Sequence, residues 1–201
     1  MKRMFALCNV SLVAAALLFA AGCASDSAEK SSKGKSDSNP NHQTVTQPSK
    51  VKFSEFKSFE IKPFTIANAK QAKDKGNRKS QQVMDGILQR ELANVLPNLK
   101  VLAPGEDFSK TADRTLQITP VIKDIDIQSV GTRVWVGVMA GGSDLTVVVT
   151  YQDSSTGEAI ATPQFWRGIN AWSGSTGWGA GDNSLRDAVC KDIVDYTQQN
   201  K

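Results

Sequence analysis

Histidine is almost missing from this chain of 201 residues: His42 is the single example, and it sits in a polar stretch without apolar patterning. A Ser-His-Asp or Cys-His nucleophilic site needs an imidazole held by an ordered scaffold, so that class of enzyme is excluded. Cysteine is equally scarce, with Cys8, Cys23 and Cys190. No Cys-x-x-Cys pair, histidine cluster or calcium loop is present, so no metal is expected. Gly137-Val-Met-Ala-Gly141 lacks the Gly-Lys-Ser/Thr that a phosphate-binding loop requires, and no other cofactor motif occurs. Asp124 and Asp126 come nearest to a carboxylate pair for glycan hydrolysis. On an alternating strand with Ile125 and Ile127 turned inward, both aspartates face water instead. No catalytic residues are expected, and the chain reads as a non-enzyme. A strong excess of one charge is also lacking, with 24 basic against 20 acidic residues. Nucleic-acid binding, which needs clustered cations without matching acids, is therefore not expected.

What is present begins at the amino terminus. Lys2 and Arg3 form a charged entry, Met4 to Ala21 an apolar run, and Ala20-Ala21-Gly22-Cys23 a small-residue processing site. An uncleaved membrane helix fits poorly, because about 18 apolar residues ending in Ala-Ala-Gly and a polar tract barely span a bilayer. The pattern resembles a bacterial lipoprotein lipobox, with Ala20 where Leu is usual and Leu18 two residues earlier. The resemblance implies cleavage before Cys23, lipidation of Cys23, and, with Ala24 rather than Asp following, passage to the outer membrane facing the periplasm. Ala20-x-Gly22 also suits an ordinary signal peptidase. Without Lys2 and Arg3 the mature chain carries 22 basic and 20 acidic groups.

Three parts follow: residues 1–22 as signal, 23–50 as lipidated cysteine and disordered tether, and 51–201 as one periplasmic domain. Ala24 to Lys50 holds almost no large apolar side chain and does not offset the entropy of ordering. As a flexible chain it spans roughly 30 Å. From Val51 hydrophobicity concentrates: Phe59 and Ile61 alternate, as do Phe64 and Ile66, and Pro63 breaks the phase, which suggests an edge strand or bulge. Lys70, Lys73, Lys75, Arg78 and Lys79 against Asp74 read as a solvated loop, or as a grip on anionic headgroups. Ser80 is placed to cap a helix carrying Met84, Ile87, Leu88, Leu92, Val95 and Leu96 at helical spacing, stopped by Pro97. Val101 to Ala103 and Thr115 to Gln128 read as strands, the second changing phase through a bulge at Pro120 to Ile122. Arg133 to Val138 and Leu145 to Tyr151 alternate around Gly141-Gly142-Ser143, a hairpin. Asp153 to Gly157 is a turn leading to a strand over 158–168. Ser184 then opens a helix with Leu185, Val189, Ile193 and Tyr196 on one side and Cys190 beside them, a buried packing thiol in preference to a reactive one. The fold expected is one α+β domain, a mainly antiparallel sheet of about five strands with two amphipathic helices on one face.

Gly131-Thr-Arg-Val-Trp-Val-Gly-Val-Met-Ala-Gly-Gly-Ser143 and Asp153-Ser-Ser-Thr-Gly-Glu158 together resemble an uncharacterised bacterial lipoprotein family with an Arg-Trp, Gly-Ala-Gly hairpin and an Asp-x-x-Thr-Gly turn. More distantly, Phe59-Glu-Ile-Lys-Pro-Phe64 before a helix is similar to the TolB amino-terminal and curli-secretion lipoprotein group. The resemblance implies an envelope accessory protein with an α/β-type domain. Beside it stand Trp166, Trp172 and Trp178, spaced by six among glycines, as a protein-partner surface or a platform for peptidoglycan sugars, or as core and hairpin packing. The expected partners are a membrane through the lipid, a periplasmic or outer-membrane protein, and as an alternative peptidoglycan.

Overall fold

The computed structural model describes residues 43–109, 114–127, 143–169 and 180–201. After a 3-10 turn at Phe53–Glu55 come β1 (Ser58–Ile61), β2 (Thr65–Ile66), α1 (Ala69–Lys73), α2 (Lys75–Val95), β3 (Leu99–Val101), β4 (Thr115–Asp126), β5 (Ser143–Asp153), β6 (Ala159–Ala161), β7 (Gln164–Ile169) and α3 (Ala180–Gln199). The strand expected over Arg133 to Val138, its hairpin turn, Cys23, Trp172 and Trp178 lie outside the described residues.

The α+β class stands, and the sheet differs from expectation in size and direction. Among the described residues seven strands form one mixed sheet in the order β3-β1-β4-β5-β6, with β2 also beside β4 and β7 beside β5. β1 is parallel to both β3 and β4, β2 is parallel to β4, and β5 is antiparallel to β4, β6 and β7. Parallel neighbours need a crossover of a dozen residues or more, which the α1–α2 segment supplies between β1 and β3. Pro63 therefore marks a break inside the sheet. Ile61 faces Ile118 and Thr65 faces Val121, so three residues around Pro63 lie opposite Thr119 and Pro120. Two prolines, each without an amide donor, share the one place where the ladder is interrupted.

The bulge in β4 falls between Ile122 and Asp124, slightly beyond the expected Pro120 to Ile122. It keeps Leu116, Ile118, Ile122 and Ile125 on one buried face with Leu145, Val147, Val149 and Tyr151 of β5. Against that face pack Met84, Leu88 and Leu92 of α2 and Val189, Cys190, Ile193 and Tyr196 of α3, in a single core. The two helices run parallel side by side. Arg186 donates to Ser80 Oγ (3.3 Å), Cys190 Sγ lies 3.8 Å from the Met84 carbonyl, and Lys201 Nζ donates to the Val95 carbonyl (2.7 Å).

Both helices start earlier than their sequences suggest. Asp74 caps α2 by accepting the Asn77 N–H (2.9 Å), and Asn68 caps α1 through the Lys70 N–H (2.9 Å). Lys70 to Lys79 is thus helical on both sides of the extended Asp74, not a loop, and Ser80 is a buried residue within α2. α3 begins at Ala180 rather than Ser184. α2 ends as expected, with Leu96 before Pro97 and Asn98 at φ 60°.

Residues 43–50, the last of the expected tether, lie along the sheet. Val45 and Gln164 exchange both backbone hydrogen bonds at 2.8 Å, Ser49 N–H donates to Asn200 Oδ1 (2.7 Å), and Lys50 N–H to the Ile160 carbonyl (3.1 Å). The segment covers the β6–β7 edge, which would otherwise present unpaired amides and carbonyls.

Candidate functional site

Several ionisable and nucleophilic side chains of the described residues are committed to one another or to backbone. Glu60, 4% exposed, projects from β1 on the face away from the helices. It accepts the Ser109 N–H (2.9 Å) and the Ser109 hydroxyl, and Lys100 Nζ lies 3.5 Å from it and 3.1 Å from Ser109 Oγ. A serine–lysine nucleophile needs a neutral amine. Here the hydrogen bond to Glu106, at 3.3 Å, raises the Lys100 pKa and holds the ammonium charged. The cluster therefore pins residues 102–109 over β1. Asp124 accepts Gln71 Nε2 (2.6 Å), so one member of the aspartate pair anchors α1.

Asp85 has a similar structural task. Its carboxylate accepts the Phe64 N–H (2.7 Å) and Gln81 donates to the Phe64 carbonyl, satisfying the backbone where Pro63 breaks the strand. Burial pushes its pKa up to about 6, against the opposing effect of that hydrogen bond. The folded state thus binds the proton more tightly than the unfolded chain, and stability present below about pH 4 is lost as pH rises through about 6. The upper bound is near 3 kcal/mol; partial solvent contact reduces it to about 1 kcal/mol. Asp85→Asn, which keeps an acceptor for Phe64, is expected to raise Tm at neutral pH by about 2–4 °C and to flatten the wild-type decline between pH 4 and 6, as thermal melts across that range would show.

Two surfaces formed by the described residues stand out. The first is a groove of about 370 Å³ between residues 44–46, β7 and α3, lined by Thr44, Phe165, Arg167, Asp192, Tyr196 and Gln199 among others. Arg167 Nε and Nη2 donate to both oxygens of Asp192 at 2.7 and 2.6 Å, and this bidentate pair raises the Arg167 pKa. Tyr196 donates to the Gln47 carbonyl (2.7 Å), tying the wall formed by the 43–50 segment to α3. Sequence reasoning missed this groove, because its strand and helix halves lie 25 residues apart and its third wall reads as tether. The second surface is the α1–α2 corner, where Lys70, Lys73, Lys75, Arg78 and Lys79 are all exposed.

Trp166, the described member of the tryptophan series, lies on β7 opposite Thr146, partly buried. Its benzo ring rests against Gly168, where an added Cβ would come within 2.5 Å of it. Glycine at 168 is thus what lets one side of the indole lie on its own strand.

No protein-family model and no curated protein matches the sequence. Among solved structures the chain is similar to a PelC variant dodecamer from Paraburkholderia phytofirmans, at 10% identity and a TM-score of 0.51, covering 78% of this chain and 98% of that one. It is also similar to the hypothetical protein CT253 from Chlamydia trachomatis (11% identity, TM-score 0.40, 71% and 99% coverage) and to a candidate lipoprotein from Caulobacter crescentus (11%, 0.34, 69% and 89%). The PelC likeness shows a shared fold. Among the described residues no helix is long and apolar enough to cross a membrane.

Proposed function

We propose that this chain is a non-enzymatic, lipid-anchored envelope protein, tethered through Cys23 to the outer membrane, whose periplasmic domain binds an accessory or assembly protein in the groove beside its own tether. The observation that carries the reading is the groove itself. A bidentate Arg167–Asp192 pair with a half-exposed arginine lines it above the core rings of Phe165 and Tyr196, and arginine is a residue type on which protein partners anchor. Its open form suits an extended polar segment rather than an enclosed small molecule. A second reading, a glycan or peptidoglycan binder, draws on the spacing by six of Trp166, Trp172 and Trp178 among glycines.

The test is in-cell crosslinking of a carboxy-terminally tagged chain with mass spectrometry of the captured species. Wild type is compared with Cys23→Ala and with Arg167→Ala/Asp192→Ala, which removes both charges together and strands neither. One dominant protein, lost from both variants while their circular dichroism is unchanged, is the expected result. A protein captured equally by the groove variant overturns the groove. Cell-wall fragments without a protein favour the tryptophan reading, and a wild-type Cys23 without acyl mass removes the anchor.

A further inference from the structure

We infer that the α1–α2 corner is a docking surface for the anionic phospholipid headgroups of the membrane that holds the tether, an inference that rests on the anchored reading above. Lys70, Lys73, Lys75 and Lys79 are exposed, and none forms an ion pair among the described residues. Arg78 donates to the Ala72 and Lys73 carbonyls at 3.4 and 3.1 Å, which fixes the corner between the two helices. The single acid of the segment, Asp74, is occupied as the cap of α2. Helix formation thus converts a run of cations into a rigid cluster, with Asp74 as its cap and Asp124 engaged by Gln71 as the acids beside it.

The sheet register places this corner relative to the tether. Thr65, Val121, Val148, Gln164 and Val45 form one row across the sheet. One step further along, Asp124 pairs with Thr146 and Thr146 with Trp166, whose N–H donates to Thr44 Oγ1 (2.9 Å). Asp124 is the residue held by Gln71 of α1. The 43–50 segment is antiparallel to β7, so traced toward its amino terminus it leaves the domain at the end that carries α1 and the start of α2. Three strand spacings, about 14 Å, separate the two across the sheet. The amino-terminal end of this segment and the basic corner thus lie at the same end of the sheet. Lys52 and Lys57 lie near the opposite end, where Phe53 N–H meets the Asn200 carbonyl and β1 begins.

The experiment uses Ala24–Lys201, made without Cys23 so that no acyl chain contributes, sedimented with vesicles of phosphatidylcholine alone or containing phosphatidylglycerol. Binding to the anionic vesicles at low salt is expected, with little to the neutral ones, and is expected to fall steeply as salt rises. At about 1 kcal/mol for each lysine near the surface, Lys70→Gln/Lys73→Gln/Lys75→Gln/Lys79→Gln is expected to weaken binding on the order of 10³-fold with its helical signal retained, and Lys52→Gln/Lys57→Gln by less than about threefold. No binding to anionic vesicles, or an equal loss per charge from both variants, overturns the inference. Because the probe protein carries no anchor, its result is independent of whether Cys23 is lipidated.

Discussion

Alkylation of Cys190 by iodoacetamide is expected to be on the order of 10³-fold slower in the native protein than in concentrated guanidinium chloride, measured on Ala24–Lys201, where it is the single cysteine. The thiolate is the reacting form. Cys190 is fully buried on α3 against the Met84 carbonyl, and burial first, then the charges of Asp187 and Asp85, push its pKa from 9 up to about 12. That alone removes about three powers of ten from the thiolate population near pH 8. Steric exclusion removes more, so native labelling should proceed through unfolding and its rate should follow denaturant concentration. Equal rates in the native and unfolded chain would mean that α3 does not pack on α2 as described. In an oxidising compartment, which the proposed anchored reading implies, this burial would keep the unpaired thiol from intermolecular disulfides.

Much of the fold was legible because its signals are local. The stripe Met84, Leu88, Leu92, Leu96 and the alternation Leu145, Val147, Val149, Tyr151 are both buried as their periods require. What escaped were relations between distant segments. Ser58–Ile61 is too short to reveal that it lies between two parallel partners, since a parallel neighbour leaves no turn residues to read. The helix starts were misplaced for a simpler reason. Asp74 and Asn68 cap as well as Ser80 does in principle, and the flanking lysines have no apolar stripe to announce a helix. The end of the tether was read as disordered because Thr44, Val45 and Thr46 bury little; their order comes from backbone pairing to β7, which composition does not show.

The site divides in the same way. The basic corner was legible as a cluster, and the structure adds its helical framework and its place in the fold. The groove was invisible, because Arg167 and Asp192 gain meaning as a pair through the packing of α3 on β7. Glu60 read as an ordinary alternating strand residue, and Ser109 carried no signal until the loop placed it over that carboxylate.

The Asp153 turn offers the largest expected loss of stability, and it explains the Asp-x-x-Thr-Gly pattern physically. Asp153 is 2% exposed; its carboxylate accepts the Ser155 N–H (2.9 Å), the Ser155 hydroxyl (2.6 Å) and Arg114 Nε (2.7 Å). Gly157 takes φ 72°, returning its N–H to the Asp153 carbonyl at 2.8 Å, and Thr156 Oγ1 accepts the Glu158 N–H (3.1 Å). Ser154 Oγ accepts the Thr115 N–H (2.8 Å), so the turn also seals the start of β4. Removing one partner of a buried pair costs about 3–5 kcal/mol. Arg114 is partly exposed and keeps Glu55 at 3.1 Å, so solvent and the second carboxylate lower the expected loss for Asp153→Ala to about 2–3 kcal/mol, read from urea unfolding. Asp153→Asn, which keeps an oxygen for Ser155, should lose about half as much. The pH dependence separates this carboxylate from Asp85. Burial raises the Asp153 pKa, but the bonds from Ser155 and Arg114 outweigh it and hold the carboxyl below its ordinary range. Its contribution is therefore present above about pH 4 and lost as pH falls, so the gap between wild type and Asp153→Asn should close in acid, whereas the gap between wild type and Asp85→Asn should open as pH rises. A gap at Asp153 that stays constant down to pH 3 would show that the turn is held by shape alone and that the ion pair with Arg114 adds nothing.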